Sequence, residues 1–384
     1  MKTMNVVIIA AIIILAAVVA CYVVVPNHPA STKYSTEAES NALASSVSTS
    51  YILIQGSGAT FPLLQIEYWI AKFQSMYPNI KVSYAGKGSG AGQKDFFNHL
   101  VDFAGSDPPL SRDVWLKYKG KVLQIPYLVG AVAIVYNIPD IPSKYHLKLT
   151  GDIVARIYMG NITYWDDPEI KELNPELADK LPHKEIIVIH RSDASGTTQI
   201  FTTFLAKRST EWRKKVGIGK VVEWPIDKLG RGIGAKGNPG VAQVIKTTPY
   251  SIGYLEWAYA IKENLSIAAI DNKEGVFVLP SARGIQSAIK NALPKLPDDP
   301  LGDWSGDLDA IIDAPGRSTY PIVAWTHLLV WKTYSNQAKV NALRTWIMWV
   351  LTEGRNYILP GYAPIPEELA TTIAKAVDEI GVSK

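Results

Sequence analysis

From Tyr51 onward the chain alternates short apolar runs with stretches in which apolar residues recur at helical spacing. Tyr51 to Gln55 predicts a strand, and Leu63 to Met76 predicts a helix whose apolar residues Leu64, Tyr68, Ile70, Ala71 and Phe73 roughly follow the helical period. Lys81 to Ala85 predicts a second strand, 91–100 a helix, and Val101 to Ala104 a short third strand. Strands alternating with helices argue for a parallel or mixed sheet covered by helices, an α/β fold. Two longer apolar runs, Val122 to Tyr136 and Tyr320 to Val330, each carry a Pro. They are read as crossovers between two lobes, 51–127 with 320–384 and 128–319, with a ligand cleft between them where strand-end turns converge. Ala338 to Leu351 and Pro366 to Ile380 read as closing helices.

The turns after the strands share one chemistry. Glu185 to Leu205 passes from an apolar β-type run through Arg191 and a cluster of small hydroxyl and Gly residues into an amphipathic helix. A helix starting near Ser195 or Gly196 leaves its first N–H groups without intrahelical acceptors, and the macrodipole adds roughly half a positive charge there. Ser195 and Thr197 add hydroxyls, Gly196 allows close backbone approach, and Arg191 supplies a planar fork of donors for a phosphate or carboxylate edge. Read blandly, the same residues form an ordinary N-cap with Arg191 paired to Asp193. The pattern returns at Gly56 to Pro62 (GSGATFP), at Gly86 to Gly92 (GKGSGAG) and at Gly105 to Pro109, where Asp107 lies at the mouth of the turn. Asp107 is either an Asx-type turn residue before Pro108 or a carboxylate set among anion donors.

The N-terminus adds a second function. Asn5 to Val25 is almost entirely apolar and about long enough to cross a bilayer. Val18-Val19-Ala20-Cys21 looks like a lipobox that would leave a lipid-modifiable Cys21, whereas the continuing run Tyr22 to Val25 fits an uncleaved anchor with Cys21 as a small buried hydrophobe. Residues 1–25 are thus a signal peptide or membrane anchor, and the Ser/Thr-rich 26–50 segment is a flexible tether. Both readings hold the domain at the outer face of the membrane.

Composition removes several alternatives. A net charge of +4 without a Lys/Arg run gives no nucleic-acid footprint, and the single Cys excludes an internal disulfide. Six His residues form no paired metal motif, so no metal or cofactor is expected. The 11 Trp and 19 Tyr default to core packing. Gly232 to Gly237 formally satisfies a dinucleotide fingerprint, but it follows no clear buried strand and is broken by Asn238-Pro239-Gly240. Neither a Walker A loop nor a Gly-x-Ser-x-Gly elbow occurs, which leaves a hydrolase without a nucleophile turn.

GSGATFP, the Gly88-Ser89-Gly90 turn, VDFAGSDPPL from Val101, IPYLVG from Ile125, HRSDASGTT from His190 and SIGYLEWAYA from Ser251 together resemble the phosphate-binding proteins of high-affinity phosphate ABC transporters. These belong to the extracytoplasmic solute-binding proteins, and the similarity runs from about Ile54 onward. The resemblance implies a two-lobe periplasmic-binding-protein-like fold, inorganic phosphate as ligand, membrane permease subunits as partners, and no enzymatic activity. It maps the phosphate ligands to Thr60, Phe61 through its backbone N–H, Ser89, Asp107, Arg191, Ser195, Gly196 and Thr197, with Asp193 orienting the arginine. Ala194 stands where the family usually has Gly, a departure that matters only if the position needs a positive φ. An ionised Asp107 accepts hydrogen bonds only, so it suits an anion that still carries a proton and penalises sulfate. Other tetrahedral oxyanions (arsenate, sulfate, molybdate) form the alternative ligand class, and an exported phosphate-processing enzyme is a third reading.

Overall fold

The computed structural model describes residues 51–383 apart from 143, 298 and 300. The apolar segment Asn5 to Val25, Cys21 and the 26–50 tether lie outside the described residues. Among the described residues no helix is long and apolar enough to cross a membrane.

The chain opens with β1 (Ile52–Gly58), α1 (Leu63–Met76), β2 (Ile80–Gly86), α2 (Ser89–Phe97), β3 (Phe103–Ser106) and the long β4 (Val122–Asn137). β5 (Ile187–Arg191), α3 (Gly196–Arg208), β6 (Gly232–Ala235), α4 (Gly237–Thr247) and β7 (Ser251–Glu256) carry the middle of the chain past the site. β8 (Val323–Trp331), α5 (Gln337–Leu351) and β9 (Tyr362–Pro364) bring it back. The main sheet runs β2-β1-β3-β8-β4-β7-β5-β6, with β9 also paired to β4. β1 is parallel to β2 and β3, and β5 is parallel to β6 and β7, while β8 and β4 are antiparallel to their neighbours.

β4 holds this arrangement together. Its first fifteen residues are buried on both faces, which explains why the run reads as continuously apolar rather than alternating. Val122 to Ala131 pair with β8, and from Val132 the partner becomes β7. Pro126, which cannot donate to a ladder, sits opposite His327 where the register slips between Thr326 and His327, so Tyr127 is the extra residue of a bulge.

Three expectations shift. The buried stripe of α1 is Ile66, Trp69 and Phe73, joined by Gln65, whereas Ala71 is exposed. Gln65 is satisfied in the core by the Tyr357 carbonyl (2.7 Å) and the Leu359 N–H (2.7 Å). α2 begins at Ser89, two residues before the expected start, because the Gly-rich segment is folded as its first turn. The third strand is Phe103–Ser106 rather than Val101–Ala104, since pairing to β1 and β8 outweighs the low strand propensity of Gly105 and Ser106.

Candidate functional site

Four chain segments meet where β1, β3, α2 and α3 end or begin. Thr60 and Phe61 follow β1, and both are buried. Their carbonyls are held by tyrosine hydroxyls, Tyr259 donating to Thr60 O (3.0 Å) and Tyr362 to Phe61 O (2.7 Å). Those bonds fix the peptide planes. Among the described residues the N–H groups of Phe61, Gly196 and Thr197 find no hydrogen-bond acceptor. Ser195 caps α3 by accepting from the Thr198 N–H (3.1 Å), so the bland N-cap reading is correct as far as it goes. It accounts for one orphan donor and leaves the earlier ones pointing out of the helix.

Arg191, at the end of β5, has its side chain 1% exposed. Its Nε donates to Asp193 Oδ1 (2.7 Å), its Nη2 to Asp193 Oδ2 (2.5 Å) and its Nη1 to Thr197 Oγ1 (3.3 Å). Burial acts to raise the Asp193 pKa, but the bonds and field of Arg191 and the Gly237 N–H outweigh it and hold the carboxyl below its usual value. Asp193 therefore stays ionised and orients the guanidinium.

Asp107 follows the last residue of β3 and is 1% exposed. Thr326 donates to its Oδ1 (3.0 Å), and Ser89, the first residue of α2, donates to its Oδ2 (3.2 Å). Burial pushes its pKa up to about 7, against the bonds from Thr326 and Ser89 and the positive field of Arg191. The raised pKa brings the neutral form of Asp107, which can donate, within reach of neutral pH beside the ionised form, which only accepts.

The walls close tightly. A Cβ on Gly196 would lie 2.4 Å from Ser89 Oγ and 2.5 Å from Asp107 Oδ2, and one on Gly88, whose φ is +90°, would lie 2.3 Å from Asp193 Oδ2. The Gly90 N–H donates to the Ala194 carbonyl (2.9 Å), and Lys220 Nζ donates to Gln93 Oε1 (2.6 Å). Gly196→Ala is expected to lower anion affinity about 10- to 100-fold, from an overpacking cost of roughly 1–3 kcal/mol against Ser89 and Asp107. The measurement is a titration with phosphate beside a melting curve without ligand, which separates the loss of binding from any loss of stability.

A match to the PBP superfamily domain covers residues 36–353. The chain is 48% identical over 341 residues to the phosphate-binding protein PstS of Methanocaldococcus jannaschii, covering 86% of this chain and 87% of that protein. It is 36% identical over 324 residues to PstS of Pasteurella multocida, covering 83% and 88%. The chain belongs to the PstS family of phosphate-binding proteins. Its fold matches that of PfluDING, a high-affinity periplasmic phosphate-binding protein solved with bound phosphate, with a TM-score of 0.65 at 22% identity, over 84% of this chain and 92% of that one. This likeness supports the two-lobe α/β architecture. These relatives are phosphate-binding proteins by name.

Within that family frame, every expected site residue lies in one neighbourhood. Ala194 is absent from the described non-Gly residues with positive φ, so its departure from Gly carries no backbone strain. Lys87 pairs with Asp95 (2.8 Å), an ordinary salt bridge at the rim. Sequence reasoning missed Thr326, Tyr259, Tyr362 and Asn238. The last directly follows the string Gly232 to Gly237 set aside as a dinucleotide fingerprint, where Gly232–Ala235 is a strand and Gly237–Thr247 a helix. The Asn-Pro-Gly sequence taken as a break is in fact the first turn of α4. The only usable signal was Asn beside Pro and Gly at a helix start after a strand.

Proposed function

We propose that this chain captures inorganic phosphate on the outer side of the cell membrane and passes it to the permease subunits of an ABC importer, without chemical change to the ligand. The ligand set is Thr60, the Phe61 N–H, Ser89, Asp107, Arg191, Ser195, Gly196 and Thr197, with Asp193 behind Arg191. One observation carries this reading. The orphan N–H groups at the start of α3 lie beside Ser89 and the buried Asp107 carboxyl, and the Arg191 guanidinium reaches Thr197 in that same first turn. Donors alone would fit any oxyanion. A carboxyl among them fits an anion that holds a proton, which favours phosphate, with arsenate as its nearest mimic, over sulfate and molybdate.

The lobes are drawn at 51–127 with 320–384 and at 128–319, supported by the change of β4 partner after Ala131. Attachment to the membrane rests on the apolar Asn5 to Val25, either as an uncleaved anchor or through lipid on Cys21. Titration calorimetry of the full chain with phosphate and with sulfate, at matched ionic strength near neutral pH, tests the function. Saturable phosphate binding is expected with sulfate weaker, by about tenfold at pH 8, where Asp107 is mostly ionised and must first take up a proton to face a sulfate oxygen. Equal affinities would refute it.

A further inference from the structure

Asn238 lies in the first turn of α4 and is fully buried. Its two amide protons go to two different threonines: Nδ2 donates to Thr60 Oγ1 (3.2 Å) and to Thr197 Oγ1 (3.1 Å). The amide cannot be turned over, because Oδ1 accepts from the Glu256 backbone N–H (3.0 Å), which can only donate. Thr60 Oγ1 also accepts from the Asn238 backbone N–H (3.0 Å), and Thr197 Oγ1 also accepts from Arg191 Nη1 (3.3 Å).

A hydroxyl has two acceptor lone pairs and one proton. In both threonines the lone pairs are taken, and among the described residues neither hydroxyl donates to a protein atom. We propose that Asn238 is a positioning residue that commits the Thr60 and Thr197 hydroxyls as donors to the bound anion and ties the two threonines into one unit. This inference rests on the phosphate reading above and adds to it a residue that faces no ligand atom. Ser89 and Ser195 lack such polarisation, since Ser89 is bonded to Asp107 and Ser195 caps α3. Without Asn238 the two threonine hydroxyls could rotate and present a lone pair to the anion, which would repel it.

The test is a double-mutant cycle read by phosphate titration of the full chain. Asn238→Ala is expected to weaken phosphate binding about 30- to 100-fold in the wild-type background, the scale of charge-assisted hydrogen bonds. In a Thr60→Val background, where one of its two targets is gone, the same change should cost at least about fivefold less. A residue that merely packs would cost the same factor in both backgrounds, and that result would overturn the proposal. Asn238→Asp covers the case in which the alanine variant fails to fold, because it keeps the shape and the acceptor for Glu256. A carboxylate would draw both threonine protons inward, so phosphate affinity should fall about a hundredfold or more near pH 8, measured on protein that still melts cooperatively without ligand. Unchanged affinity of that variant also overturns the proposal. If the wild type itself bound no phosphate, the functional reading would fail, and the cycle would not be needed to show it.

Discussion

Arg191→Lys is expected to weaken phosphate binding by roughly two orders of magnitude, about 3 kcal/mol, although the charge is kept. Of the five guanidinium N–H donors, three are engaged with Asp193 and Thr197, which leaves two on the planar fork for an anion edge. A lysine ammonium is a single point. It can satisfy Asp193 or face the anion, and it cannot hold both Asp193 oxygens while doing so. The substitution also leaves Thr197 Oγ1 with one partner fewer, so the loss should exceed that of a rim charge. Calorimetric titration with phosphate decides the matter, together with the melting temperature of the ligand-free protein to separate binding from folding. Unchanged affinity would make Arg191 a structural residue whose partner is Asp193 alone.

What the sequence made legible follows from how local each signal is. The α1 helix was readable to its ends because its apolar spacing and its flanking turns are local properties. The anion chemistry of Arg191 and of the Ser195 to Thr197 helix start was readable for the same reason, since strand end, small residues and helix start follow one another within seven residues of chain, 191–197. Thr326 and Asn238 were not. Thr326 reaches Asp107 across 219 residues of sequence, and Asn238 reaches Thr60 across 178. The neighbourhood of Thr326 reads as an ordinary strand, and that of Asn238 marks a helix start without showing that its side chain reaches two threonines. Pro126 carries a second, finer feature: within the continuous apolar strand it marks a bulge. The bulge lies beside Thr326, whose hydroxyl then meets Asp107. The glycines of the 86–92 segment suggested a loop because glycine disfavours helices, yet Ser89–Gly92 are helical. Close contact with Ala194 accounts for the choice at Gly90, where a Cβ would come within 2.5 Å of the Ala194 Cβ. Local propensity yields there to tertiary approach.

The site also combines two demands that conflict in the absence of ligand. A dense set of inward donors needs an anion, and a buried carboxyl resists ionisation where no anion proton is shared with it. Asp107 carries that conflict. Its folded pKa of about 7 lies above the ordinary 3.8, so between those values the folded chain holds a proton that the unfolded chain releases. Stability of the ligand-free protein must therefore fall as pH rises through that window, by roughly 4 kcal/mol across its full width.

Asp107→Asn is accordingly expected to stabilise the ligand-free protein while impairing its selectivity. The amide has no proton to lose, so near pH 8 the variant should melt a few degrees higher than wild type, and the gap should close as the pH falls towards about 4. Selectivity should follow the same proton. With Asp107 ionised, a sulfate oxygen faces an acceptor and is rejected, whereas protonated phosphate donates to it. Once Asp107 is protonated it can donate to sulfate, so the wild type should gain sulfate affinity by about tenfold or more between pH 8 and pH 5, the span over which a group with a pKa of about 7 passes from mostly ionised to mostly neutral. Asn supplies a donor at every pH. The variant should bind sulfate with little pH dependence and should lose more discrimination than phosphate affinity. Phosphate and sulfate titrations of both proteins across that range, at constant ionic strength, provide the measurement. If Asp107 only shaped the turn before Pro108, the variant would melt lower, and the phosphate-to-sulfate ratio would stay at its wild-type value at every pH.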